Sequence, residues 1–357
     1  MLKKIVFDDF VRLGRGFDLP DNKIVEGEYP VVASTNIKAF HCEYKVDPPV
    51  VVTGRSGSLG KVQYVTSKCW PLNTALYSKD CRSNVPQYIY YYLQTMHLEQ
   101  YNAGAGVPTL NQNHLQRLKI LVHEPSEQTI VASILAAYDN LIENNNKRIK
   151  ILEQMAENLY KEWFVRFRFP DYQNSEFENG IPKGWNVVKI KKCVKRLAFN
   201  RLYKENELEK EGNVIVIDQS ANEYLGFHNN EPSHYANYEN PIILFGDHTC
   251  KCKLMCKDFS LGENVVPFCS SDTNFTDIYF LYYAVHKIIT TEEYKRHWGR
   301  FITLKILVPP IELQRKYSKL VVWFEKEKEV LFKHNLNLIK QRDMLLPRLM
   351  SGKLEVK

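Results

Sequence analysis

Leu118-Lys119-Ile120-Leu121-Val122 recurs, 186 residues further on, as Leu304-Lys305-Ile306-Leu307-Val308. A proline break follows each copy: Pro125 in the first, Pro309-Pro310 in the second. Gln128 and Gln314 then stand at the same offset, and a long helical pattern follows both. The starts match more loosely, with Leu2-Lys3-Lys4-Ile5 at one end and Val188-Lys189-Ile190 after Gly184-Trp185 at the other. Self-similarity at a fixed offset sets the architecture before any local reading does. The chain reads as two half-chains, each a mixed unit followed by a helix.

The first helix is expected after Pro125, with Ser126 as its N-cap and Glu127 in its first turn. Its apolar stripe runs Val131, Leu135, Tyr138, Ile142, Asn145, Ile149, Leu152, Ala156, Leu159, Trp163. Steps of four and three alternate throughout, the heptad signature of a coiled coil. Asn145 is the single polar position, and a buried Asn in such a seam fixes register at some cost in stability. No Gly or Pro occurs from 126 to 169, and about 38 helical residues would span roughly 57 Å.

The same offset gives a second seam: Tyr317, Val321, Phe324, Lys328, Leu331, Asn335, Leu338, Arg342, Leu345, Leu349. It has three polar positions, and Leu320 and Ile339 are expected to widen its face. Two seams in one chain should pack on each other, and a pseudo-twofold repeat would run the helices antiparallel. The expected fold is α+β, with two mixed domains separated by a long antiparallel two-helix coiled coil. The expected divisions are domain 1 over 1–122, a first spacer helix over 123–169, a linker over 170–184, domain 2 over 185–308, and a second spacer helix and tail over 309–357.

The 357 residues carry 48 Lys and Arg against 41 Asp and Glu, a net charge of +7. Residues 1–178 hold 20 of each sign, so all of the excess lies in 179–357. That balance is compatible with nucleic acid without requiring it. Apolar residues at 44% and charged residues at 25% are ordinary globular usage. No uninterrupted apolar run is long enough for a transmembrane helix. MLKKIVFDDF lacks the apolar core and cleavage site of a signal peptide. Eight irregularly spaced cysteines make no disulfide framework, so a reducing cytoplasm is the expected location.

Within the mixed units, Pro48 to Gly54 and Pro241 to Gly246 are matched strand-then-turn segments. Tyr88 to Leu98 and Ile278 to Ile289 are matched aromatic helices, whose tyrosines are expected in the core rather than under stacked bases. Residues 170–184, with two Pro and two Gly, form the clearest linker.

Taken together, these residues resemble the specificity (S) subunit of Type I restriction-modification systems. The matching pieces are the unit ending in Leu118 to Val122, the Pro125-Ser126-Glu127-Gln128-Thr129-Ile130 helix start, Ile181-Pro182-Lys183-Gly184-Trp185 before the second unit, and the close Leu345-Leu346-Pro347-Arg348-Leu349-Met350-Ser351-Gly352-Lys353-Leu354. The likeness covers the whole chain. It loosens at Pro309-Pro310-Ile311-Glu312-Leu313-Gln314, and the second unit is short and cysteine-rich. The resemblance implies a non-catalytic subunit in which each unit reads half of a bipartite double-stranded DNA target and the helices set the gap. It also implies two methylation (M) subunits that use S-adenosylmethionine on adenine, and restriction (R) subunits, with ATP and Mg, where present. No cofactor is expected in this chain, no membrane partner, and a prokaryotic cytoplasm as its place. A stand-alone DNA-binding protein is the alternative, and a DNA-acting enzyme a weaker one.

Several motifs look catalytic and fail on inspection. Asp47-Pro48-Pro49-Val50 is close to an adenine-methyltransferase motif, but Val stands where an aromatic residue must stack on a flipped base. Gly54 to Val62 resembles a phosphate-binding loop, but it has five residues between Gly54 and Gly60 where four are needed, and Val62 replaces the magnesium ligand. It reads better as a turn between strands, equivalent to Gly246-Asp247-His248. His248, Cys250, Cys252, Cys256 and Cys269 lack a common zinc spacing, so reduced cysteines and no metal site are expected. No catalytic residue is assigned.

Base reading needs polar side chains at base edges flanked by cations on phosphates. In the first unit the candidates are Arg12, Arg15, Asn36, Lys38, Arg55, Ser56 and Lys61, with the loop Gly104-Ala105-Gly106-Val107-Pro108-Thr109-Leu110-Asn111-Gln112 and in particular Gln112. In the second they are Arg196, Arg201, His248, Lys251, Lys253, His297 and Arg300. Trp163, Phe164, Phe167 and Phe169, interleaved with Arg166 and Arg168, make an aromatic cluster at the first helix end. Phe164 and Phe167, with Arg348, are the expected contacts to a partner subunit, and Trp163 is expected to pack within the chain.

Overall fold

The computed structural model describes residues 2–104, 106–220, 222, 224–290 and 296–356. The first half-chain contributes β1 (Lys3–Val6), α1 (Phe7–Phe10), β2 (Arg12–Arg15), β3 (Tyr29–Val32), β4 (Ile37–His41), β5 (Val50–Gly54), β6 (Val62–Val65), β7 (Trp70–Pro71) and β8 (Ala75–Asp80). It continues through α2 (Pro86–Thr95), α3 (Gln112–Gln116), β9 (Lys119–Val122) and α4 (Pro125–Tyr160). The second half-chain gives β10 (Phe177–Glu178), β11 (Ile181–Pro182), β12 (Asn186–Lys189), β13 (Val194–Arg196), β14 (Val214–Ile217), β15 (Gly226–His228), β16 (Ile242–Gly246), β17 (Cys252–Met255), β18 (Phe259–Leu261) and β19 (Val265–Ser270). It ends with α5 (Ile278–Val285), α6 (Trp298–Phe301), β20 (Lys305–Val308) and α7 (Ile311–Met350). The class is α+β.

Two compact units result: Met1–Asn145 with Lys333–Lys357, and Asn146–Phe332. The repeated pentapeptide closes each one. In the first, β9 pairs antiparallel with β1, Lys119 opposite Val6 and Val122 opposite Lys3. In the second, β20 pairs antiparallel with β12, Lys305 opposite Lys189 and Val308 opposite Asn186. Side chains alternate across a strand, so Ile120 and Val122, like Ile306 and Val308, turn into the core while both lysines face solvent. Burying each such aliphatic side chain stabilises by about 1.5–3 kcal/mol.

The sheets repeat as well. The first unit has a four-stranded sheet in the order β2-β8-β5-β6 and a three-stranded one in the order β4-β3-β7. The second has β13-β19-β16-β17 and β15-β14-β18. Each small sheet contains one parallel pair, β3 with β7 and β14 with β18. The aromatic helices pack inward as expected, with Tyr88, Tyr91, Tyr279 and Tyr283 all buried.

Gln128 and Gln314, both fully buried, do the same work in the two units. Gln128 Oε1 accepts from Val85 N–H at the start of α2 (2.9 Å), and its Nε2 donates to His123 O (2.8 Å) and Asn84 Oδ1 (2.7 Å). Gln314 Oε1 accepts from Asp277 N–H at the start of α5 (2.8 Å), and its Nε2 donates to Pro309 O (2.7 Å) and Phe275 O (3.1 Å). One amide thus pins the start of each long helix to the start of the neighbouring aromatic helix.

Helix α4 begins at Pro125, with Gln128 N–H already bonded to Glu124 O at 2.9 Å. The cap position is therefore Glu124 rather than Ser126, and the proline takes the first helical position, where its missing N–H costs nothing. Every residue of both seams is buried or half-buried. The flanking pair is corrected: Leu320 and Ile339 are exposed and do not widen the face.

The polar positions of the second seam each have a partner on α4. In the first unit, Asn335 Oδ1 accepts from Asn145 Nδ2 at 2.9 Å, and Arg342 donates to Asp139 at 2.6 Å. Asp139 also accepts from the Tyr91 hydroxyl at 2.6 Å. In the second unit, Lys328 reaches Glu153 at 3.3 Å and Glu325 at 3.1 Å, and the Tyr317 hydroxyl donates to Ala156 O at 3.1 Å. Within each unit, partners on α7 rise in number as those on α4 fall, so the two helix segments run antiparallel. Burial works against the Lys328 ammonium, but Glu325 and Glu153 outweigh it and raise its pKa.

Candidate nucleic-acid interface

In the first unit the candidate residues sort into a loop cluster and a cleft. Strand β5 ends at Gly54, where a Cβ would stand 1.9 Å from Ser58 O, so the turn closes on itself only with glycine there. The turn docks on the loop that precedes α3. Gly57 N–H donates to Pro108 O at 2.9 Å and Leu110 N–H to Arg55 O at 2.8 Å. The Ser34 hydroxyl donates to Thr74 O at 2.8 Å and to Ser56 O at 3.2 Å. Three loops distant in sequence therefore meet at one end of the sheets. Ala105, in the third of them, lies outside the described residues.

Arg55 is half-buried, and its guanidinium donates to Asn73 O at 3.2 Å, which anchors the neighbouring loop. Ser56 is half-buried beside it, while Lys61 and Asn36 are exposed. Lys38 is exposed and already ion-paired with Asp21.

The cleft holds Arg12, Arg15 and Gln112 with three residues that sequence reading missed: Lys79, Asn113 and Gln116. Its volume is about 410 Å³. Arg12 and Arg15 come from β2, Lys79 from β8, and the amides from α3. The amides could have been found from their spacing, since Gln112 and Gln116 lie one turn apart on a helix. Lys79 could not, because its place depends on a register irregularity. Arg12 faces Asp80 while the adjacent Leu13 faces Ser78, so Lys79 is the extra residue of a bulge.

In the second unit the matching turn runs from Gly246 to Lys251, where Gly246 N–H donates to Lys251 O at 2.8 Å. His248 N–H donates to Gln219 Oε1 at 3.0 Å. Lys251 is exposed, and Lys253 Nζ donates to the carbonyl oxygens of Asp218 and Asn222. Arg196 is exposed and lies over the Phe199 ring at 4.5 Å. Arg201 lies over Tyr203 and pairs with Glu207 at 3.1 Å. Arg300 is exposed.

His297 is corrected. It is fully buried, and its backbone N–H donates to Asp247 O at 2.8 Å and Oδ1 at 3.1 Å. It fastens the segment before α6 to the turn after β16 and presents no edge to a ligand.

Phe164 is corrected too. Its side chain is only 4% exposed and packs on Phe280 at 4.9 Å and Tyr317 at 5.2 Å, within the core of its own unit. Phe167 is half-buried against Trp185 at 5.3 Å and Phe177 at 6.0 Å. Trp163 packs inward beside Phe164, as expected. Arg348 is exposed. All eight cysteines are free thiols, and among the described residues no three or more His, Cys, Asp or Glu side chains are placed to hold a metal ion. No described helix is long and apolar enough to cross a membrane.

Residues 7–154, which carry the loop cluster, the cleft and most of α4, match the family model of the Type I restriction modification DNA specificity domain. Residues 7–154 thus carry a Type I restriction modification DNA specificity domain. The similarity of the chain extends past that domain. It is 26% identical over 335 aligned positions to the Type I restriction enzyme MjaIX specificity subunit of Methanocaldococcus jannaschii, covering 76% of this chain and 70% of that one. The MjaVIII specificity subunit of the same organism is 24% identical over 306 positions, with 76% and 70% covered. The crystal structure of the Type I S subunit from M. genitalium superposes with a TM-score of 0.61 at 16% identity, covering all of this chain and 97% of that one. That last likeness is one of fold.

Proposed function

We propose that the chain is a specificity subunit that directs a Type I complex to a bipartite double-stranded DNA target, each unit reading one half-site and the paired helices fixing the gap between them. The observation that carries this is the complete repeat. Both units have the same two sheets, the same closing ladder and the same buried glutamine, and each leads into one long helix. A scaffold repeated so closely is built to do one kind of task twice.

The subunit itself is non-catalytic in this reading. It scaffolds two adenine-methylating M subunits, which hold the S-adenosylmethionine, and R subunits supply ATP- and Mg-dependent cleavage where they are present. The cytoplasm of a prokaryote is the corresponding place. In support, the sequence lacks both the aromatic residue of an adenine-methyltransferase motif and a working phosphate-binding loop.

The test is to co-express the chain with the methyltransferase encoded beside it and map modified adenines by single-molecule sequencing. Methylation at one bipartite motif, lost when this chain is omitted, is the expected result. A motif unchanged by omitting the chain overturns the reading and leaves a stand-alone DNA binder.

A further inference from the structure

The two units share a scaffold but differ at one matched place. The short helices α3 and α6 both stand just ahead of the repeated pentapeptide strand. At the same offset, α3 carries Gln112, Asn113 and Gln116 where α6 carries Trp298 and Gly299 and is followed by Ile302. In the second unit Trp298 fills the space, packing on Phe245 at 5.8 Å, Phe268 at 5.4 Å and Phe301 at 5.4 Å. In the first unit the cleft opens there instead.

The strands beneath differ in the same way. β13 and β19 pair in unbroken register, while β2 and β8 carry the bulge at Lys79. A bulge bends its strand and re-aims a side chain. Gly14 forms the floor: a Cβ there would stand 3.4 Å from Lys79 Cβ and from Tyr77 Cε1, so its absence leaves room for the lysine stem.

The chemistry of the cleft is that of base reading. Gln112 Oε1 is shielded from solvent and has no hydrogen-bond partner among the described residues. Arg12 and Lys79 are exposed and form no ion pair among the described residues. A primary amide offers the donor and acceptor that match an adenine edge, arginine matches guanine, and a free lysine suits a phosphate. A groove that only covered the core would have no reason to gather three amides and three cations.

We infer that the first unit reads part of its half-site through this cleft, with Gln112 and Gln116 on base edges and Lys79 on a phosphate, and that the second unit has closed the equivalent place with Trp298 and reads through its loops alone. The inference rests on the DNA-recognition reading above and assigns it to residues.

The test is selection of bound duplexes from a randomised double-stranded library by the full chain with its co-expressed methylation subunits. The parent and the variants Gln112→Ala, Gln116→Ala and Lys79→Ala are compared. Gln112→Ala and Gln116→Ala each relax one or two adjacent positions in one half-site by about tenfold, and the other half-site stays unchanged, which also shows that the variant is folded. Lys79→Ala weakens all sequences alike and lowers the salt slope by about 1. A motif identical in parent and both glutamine variants overturns the cleft assignment and leaves DNA recognition standing. A parent that selects no motif overturns both.

Discussion

Asn145 Nδ2 donates to Asn335 Oδ1 at 2.9 Å, and both side chains are buried in the helix pair of the first unit. An apolar side chain at either position would bury more area but take a hydrogen bond from the remaining amide. The pair therefore admits one alignment of the two helix segments and penalises shifts of a turn. Replacing one member leaves a buried amide short of a bond, at a cost of about 1–3 kcal/mol. Asn145→Leu and Asn335→Leu should each lower the urea midpoint. The double variant should recover most of that loss, giving a favourable coupling energy of about 1 kcal/mol in a double-mutant cycle. Additive single effects would show that the two amides do not act as a pair.

The matched glutamines make a stronger claim, because each serves three buried backbone or side-chain groups. Gln128→Ala strands Val85 N–H, His123 O and Asn84 Oδ1 together, and Gln314→Ala strands Asp277 N–H, Pro309 O and Phe275 O. Each variant should cost about 2–4 kcal/mol, the upper range for single substitutions. The losses should be local. Hydrogen exchange should speed up in α2 for Gln128→Ala and in α5 for Gln314→Ala. Equal deprotection of both helices by either variant would contradict two separate anchors.

These anchors were visible in the sequence only as a repeated letter. The pentapeptide, the two seams and the matched glutamines were legible because each is a local pattern with its own period. Partners were not. Lys328, Asn335 and Arg342 looked like defects in the second seam, and what resolves them stands on α4, far away in sequence. Exposure was equally hidden. Phe164 sits at a helix end beside charged residues, where sequence cannot tell a core aromatic from an offered one, and three packed rings decide it. His297 looked like a polar surface residue because the Asp247 that receives its backbone N–H lies on another turn. The cleft falls between these cases: Arg12, Arg15 and Gln112 are isolated polar residues in the sequence, but the bulge that adds Lys79 is a property of strand pairing.

Glu157 gives the second unit a pH dependence. Hydrogen bonds from Lys161 at 2.7 Å and from Lys287 hold its carboxyl down to about 2. An unfolded glutamate titrates near 4.5. Because the folded value is depressed, the stabilisation is fully present above pH 5 and is lost as pH falls through about 4.5 toward 2. Glu157→Gln should therefore be less stable than the parent at pH 7, by about 1 kcal/mol for a partly solvated network. The gap should narrow steadily as pH falls from about 4.5 toward 2 in denaturant titrations, the window between the unfolded and folded values. A gap that stays constant over that window would mean the carboxylate charge contributes nothing.

In the cysteine-rich stretch of the second unit, burial and reactivity are separately measurable. A thiol reacts as its thiolate, and an apolar site disfavours that charge. Burial pushes the Cys69 thiol up to about 11 and the Cys256 thiol up to about 12, and it drives Cys252 higher still. At pH 8 a thiol of pKa 12 is ionised about once in ten thousand molecules. Cys42, by contrast, is exposed on the first unit. Alkylation of the native protein at pH 8, mapped by peptide mass, should label Cys42 first and leave Cys69, Cys193, Cys250, Cys252 and Cys256 protected. Urea should then release all eight. A bound metal predicts a different pattern: protection of Cys250, Cys252 and Cys256 would be lifted by a chelator at a denaturant concentration that leaves Cys69 protected. Labelling of Cys256 as fast as Cys42 in the native chain would show instead that the edge of the second four-stranded sheet opens in solution, and that the packing of Cys256 against Tyr279 (3.7 Å from sulfur to hydroxyl) does not hold it shut.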